Sequence, residues 1–312
     1  MAIPESVTVC ECWARDGLQS MPVLVSTEHK IEMINRITAA GFKKLEVTSF
    51  SHPKLLPQFA DAAEVLAYAN TLPGLGVEVL VPNFKGCERA VAAGARVVTV
   101  PVSVSEAHSQ SNVRKSTMEQ IEEVKRMCEL RDSLPPAKRF KVMGACSTAF
   151  GCTLQGNVAE ADVVRAAVAL QAAGVDEISL ADTVGYANPA QIRSVFTAVR
   201  KAVAPDLLIE AHFHNTRGLG LANCLAAYEV GVRHFDSTLG GLGGCPYAPN
   251  ASGNVVTEDL AFMFESMGVS TGIDLDKLVA VREMIRPQLP QTEFYGHLSV
   301  AGKPKNFAYA HA

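Results

Sequence analysis

Short β-branched runs alternate with amphipathic segments of helical period, and this alternation most narrows the folds available to the chain. The strand-like runs include VTVCECW at 7–13 and KLEVTSF at 44–50, and the segment between them, 27–40, has helical period. Strands that are each followed by a helix form a parallel sheet. Further strand candidates lie at 77–83, 97–103, 140–147, 177–183, 207–214 and 234–240. This pattern predicts an α/β fold, a closed (β/α)8 TIM barrel, with a doubly wound open sheet as the alternative.

Glycines mark several junctions between a predicted helix and the next strand. The sequences AAGF, AAGA, AAGV and EVGV place Gly41, Gly94, Gly174 and Gly231 just after a helical segment. Glycine suits the left-handed conformation that ends a helix. These junctions support repeated strand–helix units. The helices themselves are predicted at 27–40, 56–70, 84–93, 117–132, 159–173, 189–203, 217–230 and 257–267.

Charge and hydropathy exclude several classes of partner. The net charge is −4 without a long run of one sign, which argues against a nucleic-acid partner. The absence of a long apolar stretch argues against a membrane partner. The first residues, MAIPESVTVCEC, lack the pattern of a signal or transit peptide. Eight cysteines without a C-x-x-C pair predict buried thiols in a reducing compartment. We therefore expect a cytoplasmic protein that acts on a small molecule.

The segment IEAHFHN at 209–215 carries two histidines on one face of a strand, because side chains alternate between the faces. Two core histidines held by neighbouring groups are the alternative to a metal site. In a closed barrel, however, Asp16 after the first strand and Asn254 after the eighth would meet His212 and His214 at one rim. Two nitrogens, a carboxylate and an amide oxygen suit Mg²⁺, Mn²⁺ or another octahedral divalent ion better than tetrahedral zinc.

Other candidate residues lie at the same predicted rim. Arg15 would stabilise an oxyanion or enolate, if it is not simply part of a surface ion pair, and Glu46 on the second strand would orient it. Cys245 lies in a glycine-rich segment that we interpret as a lid, where a thiol can transfer protons or be an ordinary small turn residue. Asp182, at the end of the sixth strand, is expected to line the same mouth.

These motifs together resemble the 3-hydroxy-3-methylglutaryl-CoA lyases of the DRE-TIM metallolyase group, from about residue 7 to residue 285. The resemblance implies one domain over 1–312, with a barrel at about 7–268 and a C-terminal helical extension at about 269–312. It also implies a divalent metal, Mg²⁺ or Mn²⁺, a CoA thioester substrate and a homodimer. The motifs are RDGLQ (15–19), LEVTSFSHPK (45–54), ISLADTVG (178–185), HFHNTRGLGLAN (212–223) and GLGGCPYAPNASGN (241–254).

The resemblance also implies a role for each matching residue. Arg15 matches the catalytic arginine and Glu46 its partner. His212 matches a residue that serves as both ligand and proton shuttle, and Cys245 matches a loop cysteine needed for proton transfer. The implied metal ligands are Asp16, His212, His214 and Asn254, and the implied positions near CoA are Asn83 and Asn112.

The implied reaction is a retro-Claisen cleavage of 3-hydroxy-3-methylglutaryl-CoA to acetyl-CoA and acetoacetate, a step of leucine degradation. The chain departs from the family pattern beside Arg15, where Ser20, Met21 and Pro22 replace a charged stretch, and at Asn215, which replaces an aspartate. Citramalyl-CoA or another 3-hydroxyacyl-CoA is therefore an alternative substrate. A condensing synthase, a TIM-barrel metal hydrolase and a non-catalytic barrel are more distant alternatives.

Overall fold

The computed structural model describes residues 6–243 and 253–310, and its centre is a closed barrel of parallel strands. Each strand pairs with the next along the chain, and the last pairs with the first, where Cys10 is opposite Asp236. The closed sheet confirms the predicted TIM barrel and excludes the open sheet. The strands are β1 (Thr8–Glu11), β2 (Lys44–Ser49), β3 (Gly76–Leu80), β4 (Val97–Ser103), β5 (Lys141–Ser147), β6 (Glu177–Asp182), β7 (Leu208–Phe213) and β8 (His234–Ser237).

Alternating side chains give each strand an outer face for helices and an inner face for the cavity. On β6, Ile178 and Leu180 are fully buried, whereas Ser179 and Ala181 line the interior cavity. The apolar side chains of this strand therefore face the helices, and its small side chains face the cavity. Each Å² of apolar surface that these outward residues bury contributes about 25 cal/mol of favourable free energy. This burial stabilises the packing of the helices on the barrel.

The helices cover the barrel and continue beyond it. Ser26, Asn83 and Ser116 each accept a backbone N–H at a helix start, and Ser116 forms a capping box with Glu119. The helices are α1 (Thr27–Ala39), α2 (Ala62–Ala69), α3 (Phe84–Ala92), α4 (Glu106–Val113), α5 (Thr117–Ser133), α6 (Glu160–Ala173), α7 (Pro189–Ala202), α8 (Gly220–Glu229), α9 (Thr257–Ser266), α10 (Leu275–Ile285) and α11 (Leu298–Ala301).

The junction glycines adopt the predicted left-handed backbone. Gly41, Gly94, Gly174 and Gly231 have φ values of 110°, 92°, 94° and 99°. A side chain at Gly41 would place its Cβ 2.1 Å from the carbonyl oxygen of Gly272, so close packing as well as φ requires glycine there.

Two helical predictions differ from the structure. The helical period over 56–70 predicts one helix, but Pro57–Phe59 forms a separate 3-10 turn and α2 begins only at Ala62. Proline suits the first turn of a helix, so it starts the short turn. Helix α4 is absent from the predicted set, since its Glu106–Val113 sequence is mostly polar and lacks a strong apolar stripe.

Several strands end earlier than predicted, and after two of them, β1 and β8, a turn follows at the rim. β1 ends at Glu11 and a π-helical turn, Trp13–Gly17, follows; β8 ends at Ser237 and a turn at Leu239–Gly241 follows. Both turns lie beyond the carboxyl ends of their strands, where TIM-barrel sites are built.

After α9 the chain contacts the barrel again near the start of β1 and at α1. The backbone N–H of Val7 donates to the carbonyl of Ser270 at 3.0 Å, and α10 lies against α1. Of the helices in the described ranges, none is long and apolar enough to cross a membrane.

Candidate metal centre and active site

Strand β7 carries His212 and His214 to the upper, carboxyl-terminal end of the barrel, side by side. Their Nε2 atoms lie 3.3 Å apart, and both lie 3.9 Å from the Asp16 Oδ2 atom. His214 is buried, and His212 lines the cavity. The two imidazoles and the carboxylate predicted from distant parts of the sequence are therefore adjacent.

Asp16 reaches this position because the chain turns sharply after β1. The N–H groups of Arg15, Asp16 and Gly17 all point at the Cys12 carbonyl, at 3.1, 2.8 and 3.2 Å. Short π-helical turns of this kind are frequent at functional sites. Although burial opposes ionisation, Arg15 and the two histidines hold the pKa of Asp16 well below its usual range. The Asp16 carboxylate is therefore charged at neutral pH.

Asn254 is brought in by backbone pairing with the end of β7. The Val255 N–H donates to the Phe213 carbonyl at 3.0 Å, and the Asn215 N–H donates to the Gly253 carbonyl at 2.8 Å. The Asn254 Nδ2 atom then donates to Asp16 Oδ2 at 2.5 Å and to the Leu242 carbonyl at 3.0 Å. All four predicted ligands meet at one place, as the sequence indicated.

The dimensions of the cluster fit a divalent cation. Asp16 Oδ2 and the two histidine Nε2 atoms form a triangle with sides of 3.3, 3.9 and 3.9 Å. The point equidistant from these three atoms lies about 2.2 Å from each, close to the ~2.1 Å at which divalent ions bind oxygen and nitrogen. Burial lowers the pKa of His214 to about 4, so its ring is neutral and keeps a lone pair for a metal. The buried Oδ1 of Asn254 has no hydrogen-bond partner in the described parts of the chain.

Asp236 on β8 fixes the orientation of His212 and was missed by the sequence analysis. Its Oδ2 atom lies 2.9 Å from His212 Nδ1. Because a carboxylate only accepts, Nδ1 carries the hydrogen and Nε2 is left to face the ligand cluster. Burial works against a charged ring, but the bond to Asp236 outweighs it and raises the pKa of His212.

Arg15 is clamped beside the cluster by two carboxylates. Its Nε donates to Glu46 Oε2 and its Nη1 to Asp16 Oδ1, both at 2.5 Å. All three side chains are buried but line the cavity. Burial raises the pKa of Glu46, although the Arg15 charge opposes that shift. The predicted Arg15–Glu46 pair is present, and it holds a fixed positive charge next to the ligand cluster.

One cavity of about 860 Å³ opens onto these groups. Asn83 and Asn112, the two positions expected near CoA, both line it, together with Arg114 and Lys115. Asn83 also caps α3, where its Oδ1 accepts from the Gly86 N–H at 2.9 Å. The volume is that of a pocket for a large small molecule.

The structure corrects the placement of Asp182. Its carboxylate is turned away from the cavity and accepts the backbone N–H groups of Tyr186 and Ala187 at 2.8 and 3.1 Å. Asp182 shares the outward parity of Ile178 and Leu180, so it stabilises the loop after β6 instead of lining the mouth. Burial raises the pKa of Asp182 to about 6. Cys245 lies outside the described residues.

A buried cluster of one lysine and two glutamates below the ligand cluster was also missed. Lys44 lies between Glu78, at 2.8 Å, and Glu210, with which it forms a shorter contact. All three side chains project into the barrel from β2, β3 and β7, and Glu78 reaches the cavity. The sequence signal that could have revealed this cluster is a lysine and glutamates at inward-facing positions of the strands.

The mouth of this TIM barrel gathers a clamped guanidinium, two imidazole nitrogens, a carboxylate and an amide. Such a set of groups suits the breaking of a carbon–carbon bond beside a carbonyl group. Fold and site therefore define a TIM-barrel carbon–carbon lyase. Within that class the chain belongs to the HMGL-like family, whose model matches residues 6–285.

Curated relatives and solved structures agree with this family. The chain is 39% identical over 289 residues to hydroxymethylglutaryl-CoA lyase YngG of Bacillus subtilis, covering 93% of this chain and 95% of the relative. It is 41% identical over 283 residues to the cytoplasmic 3-hydroxy-3-methylglutaryl-CoA lyase of Rattus norvegicus, and the match covers 91% of this chain and 81% of the relative. A solved HMG-CoA lyase from A. baumannii, in complex with coenzyme A and 3-methylmalate, superposes with a TM-score of 0.90 at 38% identity over 99% of both chains.

Proposed function

We propose that this protein cleaves 3-hydroxy-3-methylglutaryl-CoA to acetyl-CoA and acetoacetate with the help of a divalent metal ion. The observation that carries the proposal is the meeting of Asp16, His212, His214 and Asn254 beside the clamped Arg15. The curated names of the relatives support the choice of substrate.

The ligand cluster would hold Mg²⁺ or Mn²⁺. Nitrogen and oxygen donors without a thiolate favour these ions over a structural zinc. When bound, such an ion lowers the pKa of a coordinated hydroxyl group and polarises a neighbouring carbonyl. Asp16 and Asn254 provide hard oxygen atoms, while the histidines fix the position of the site on a rigid strand.

Arg15 would stabilise the negative charge that develops when the bond breaks. The substrate hydroxyl gives its proton to a base, its oxygen forms the ketone of acetoacetate as the bond between C2 and C3 breaks, and the electron pair of that bond forms the enolate of acetyl-CoA. A guanidinium that Glu46 and Asp16 already orient needs no reorganisation to meet that charge. Cys245 would then protonate the enolate carbon, or His212 would do so once its Nε2 atom is released from the metal.

The CoA portion would extend away from the ligand cluster toward Asn83 and Asn112. Arg114 and Lys115 line the same cavity, and their positive charge suits the phosphates of CoA. The amide groups of the two asparagines suit the amides of the pantetheine arm.

A second substrate class rests on the sequence beside Arg15. Ser20, Met21 and Pro22 leave no charge there, so citramalyl-CoA or a related 3-hydroxyacyl-CoA is the alternative, giving acetyl-CoA and pyruvate or another ketoacid. One relative was solved in complex with coenzyme A and 3-methylmalate, a hydroxy diacid, which supports testing such substrates. The TIM-barrel metal hydrolase is not supported, since the chain belongs to a lyase family.

The decisive experiment offers the purified enzyme a panel of 3-hydroxyacyl-CoA thioesters and identifies the ketoacid that forms. We expect acetoacetate from 3-hydroxy-3-methylglutaryl-CoA, loss of turnover with a chelator, and recovery with Mg²⁺ or Mn²⁺. His214→Ala should remain inactive after metal is restored. Pyruvate formed faster from citramalyl-CoA would select the second substrate, and full activity of chelated enzyme would refute the metal role.

We also infer a cytoplasmic homodimer that takes part in leucine degradation, by analogy with the family. Light scattering on the purified protein tests the dimer, and growth on leucine as carbon source after gene deletion tests the pathway.

A further inference from the structure

The segment at residues 290–297, here called the C-terminal segment, lies beyond the part of the chain that the family model matches. It packs on the turn at residues 239–243, here called the glycine turn. The Tyr295 N–H donates to the Gly240 carbonyl at 2.8 Å. The Phe294 ring lies so close to Gly240 that a Cβ there would be 2.4 Å from Phe294 Cδ1. The glycine turn is therefore covered directly by Phe294 and Tyr295.

Charged groups hold the glycine turn from its other side. The Glu258 carboxylate accepts the Gly240 N–H at 3.0 and 3.2 Å. Arg282 lies 3.6 Å from Glu258 and holds its guanidinium 5.7 Å from the centre of the Phe294 ring. Both charged residues are buried. Gly240 is thus fixed between a carboxylate and the C-terminal segment.

The glycine turn in turn fixes a proposed metal ligand. The Leu242 carbonyl accepts from the Asn254 side-chain Nδ2 at 3.0 Å and from the Asn254 backbone N–H at 3.4 Å. It also accepts from the Thr238 hydroxyl at 2.6 Å. A shift of the turn would therefore move the Asn254 amide relative to Asp16.

We propose that Phe294 is a positioning residue for the metal centre, acting through the glycine turn on Asn254, while the Tyr295 backbone N–H holds the same turn. The inference deepens the proposed function and rests on its metal site. Within the described parts of the chain, neither Phe294 nor Tyr295 lines the cavity, so the two residues act only by setting the geometry of the turn. Outer-shell partners of this kind change metal affinity because they orient the ligand.

The test measures Mn²⁺ affinity of the full-length protein by electron paramagnetic resonance of free Mn²⁺. Phe294→Ala should weaken binding by about tenfold, and Phe294→Leu, which keeps most of the apolar contact, by less. The matched control is Phe307→Ala, which removes another aromatic ring from the same end of the chain. The Phe307 ring packs on Phe262 and Tyr309, each with ring centres 5.4 Å apart, and not on the glycine turn.

The outcomes separate this inference from the proposed function. Wild-type protein that binds no Mn²⁺ would refute the proposed metal site itself. Normal wild-type binding with unchanged affinity in Phe294→Ala would overturn the positioning role alone, and so would an equal loss in Phe307→Ala. If Phe294→Ala does not fold, Phe294→Leu is compared with the wild type instead. Wild-type Mn²⁺ affinity in Phe294→Leu would then overturn the positioning role.

Discussion

At the scale of single residues, the site depends on charges that are buried but paired. Arg15 is held between Asp16 and Glu46, each at 2.5 Å. Removing one member of a buried ion pair leaves an uncompensated charge, which costs several kcal/mol. A role in catalysis must therefore be separated from a role in folding.

Arg15→Met should lower kcat by at least about a hundredfold and change KM for the CoA substrate little, because the enolate charge exists only along the reaction path. Steady-state kinetics on protein shown to be folded by circular dichroism would measure this. Arg217→Met is the control: Arg217 lies over the Tyr186 ring and binds the carbonyls of Val184 and Gly185. A change in KM alone would contradict the proposed role of Arg15.

Asp236→Asn should weaken Mn²⁺ binding by about 10- to 100-fold. An asparagine amide would donate to His212 Nδ1 and so move the ring hydrogen to Nε2, where the metal would bind. Calorimetric titration with Mn²⁺ measures the effect, and Asp206→Asn, at an exposed position, is the control. Unchanged affinity in Asp236→Asn would show that His212 does not need this partner.

At the scale of elements, the turns that follow β1 and β8 bring the proposed metal ligands together at the rim of the barrel. Gly243 has a φ of 95°, and a Cβ there would lie 2.6 Å from Asn254 Nδ2 and 2.9 Å from Asp16 Oδ2. The glycine turn therefore approaches the ligand cluster as closely as a backbone can.

Gly243→Ala should abolish tight Mn²⁺ binding, because its methyl group would occupy space between two ligands. Gly268→Ala is a matched control, since Gly268 also has a left-handed φ, 76°, but a methyl group there would meet nothing within 4 Å in the described parts of the chain. Both variants carry the same kind of backbone strain, of about 1 kcal/mol. Equal Mn²⁺ affinity in the two variants would contradict this account of the turn.

Much of the fold and of the ligand cluster could be predicted from the periodic spacing of residues along the sequence. The i, i+2 spacing of His212 and His214 on a strand places both rings on one face, and barrel closure brings Asp16 and Asn254 to them. Asp236 was missed because a single acid on the last strand has no spacing partner that reveals it. Asp182 was misplaced because its position at a strand end was weighed above its outward parity with Ile178 and Leu180.

At the scale of the whole molecule, barrel closure buries acids that distant strands contribute. Burial raises the pKa of Glu11 on β1 and of Glu78 on β3 to about 8, and that of Glu258 on α9 to about 7. The sequence alone did not show this, because each acid becomes buried only when non-neighbouring segments meet. The folded protein thus keeps protons that the unfolded chain releases above a pKa of 4.5.

These raised pKa values predict that the free energy of unfolding falls as pH rises from about 4.5 toward 8, since the folded state binds more protons in that range. Glu78→Gln should make the fall shallower by up to about 1.4 kcal/mol per pH unit, because a neutral amide has no proton to lose. Lys44 keeps Glu210 as its partner in this variant. Urea unfolding between pH 5 and 8.5, followed by fluorescence of the buried Trp13, measures both slopes, with the exposed Glu64→Gln as control. Identical slopes in wild type and Glu78→Gln would mean that Glu78 is ionised throughout, and that Lys44 compensates its burial completely.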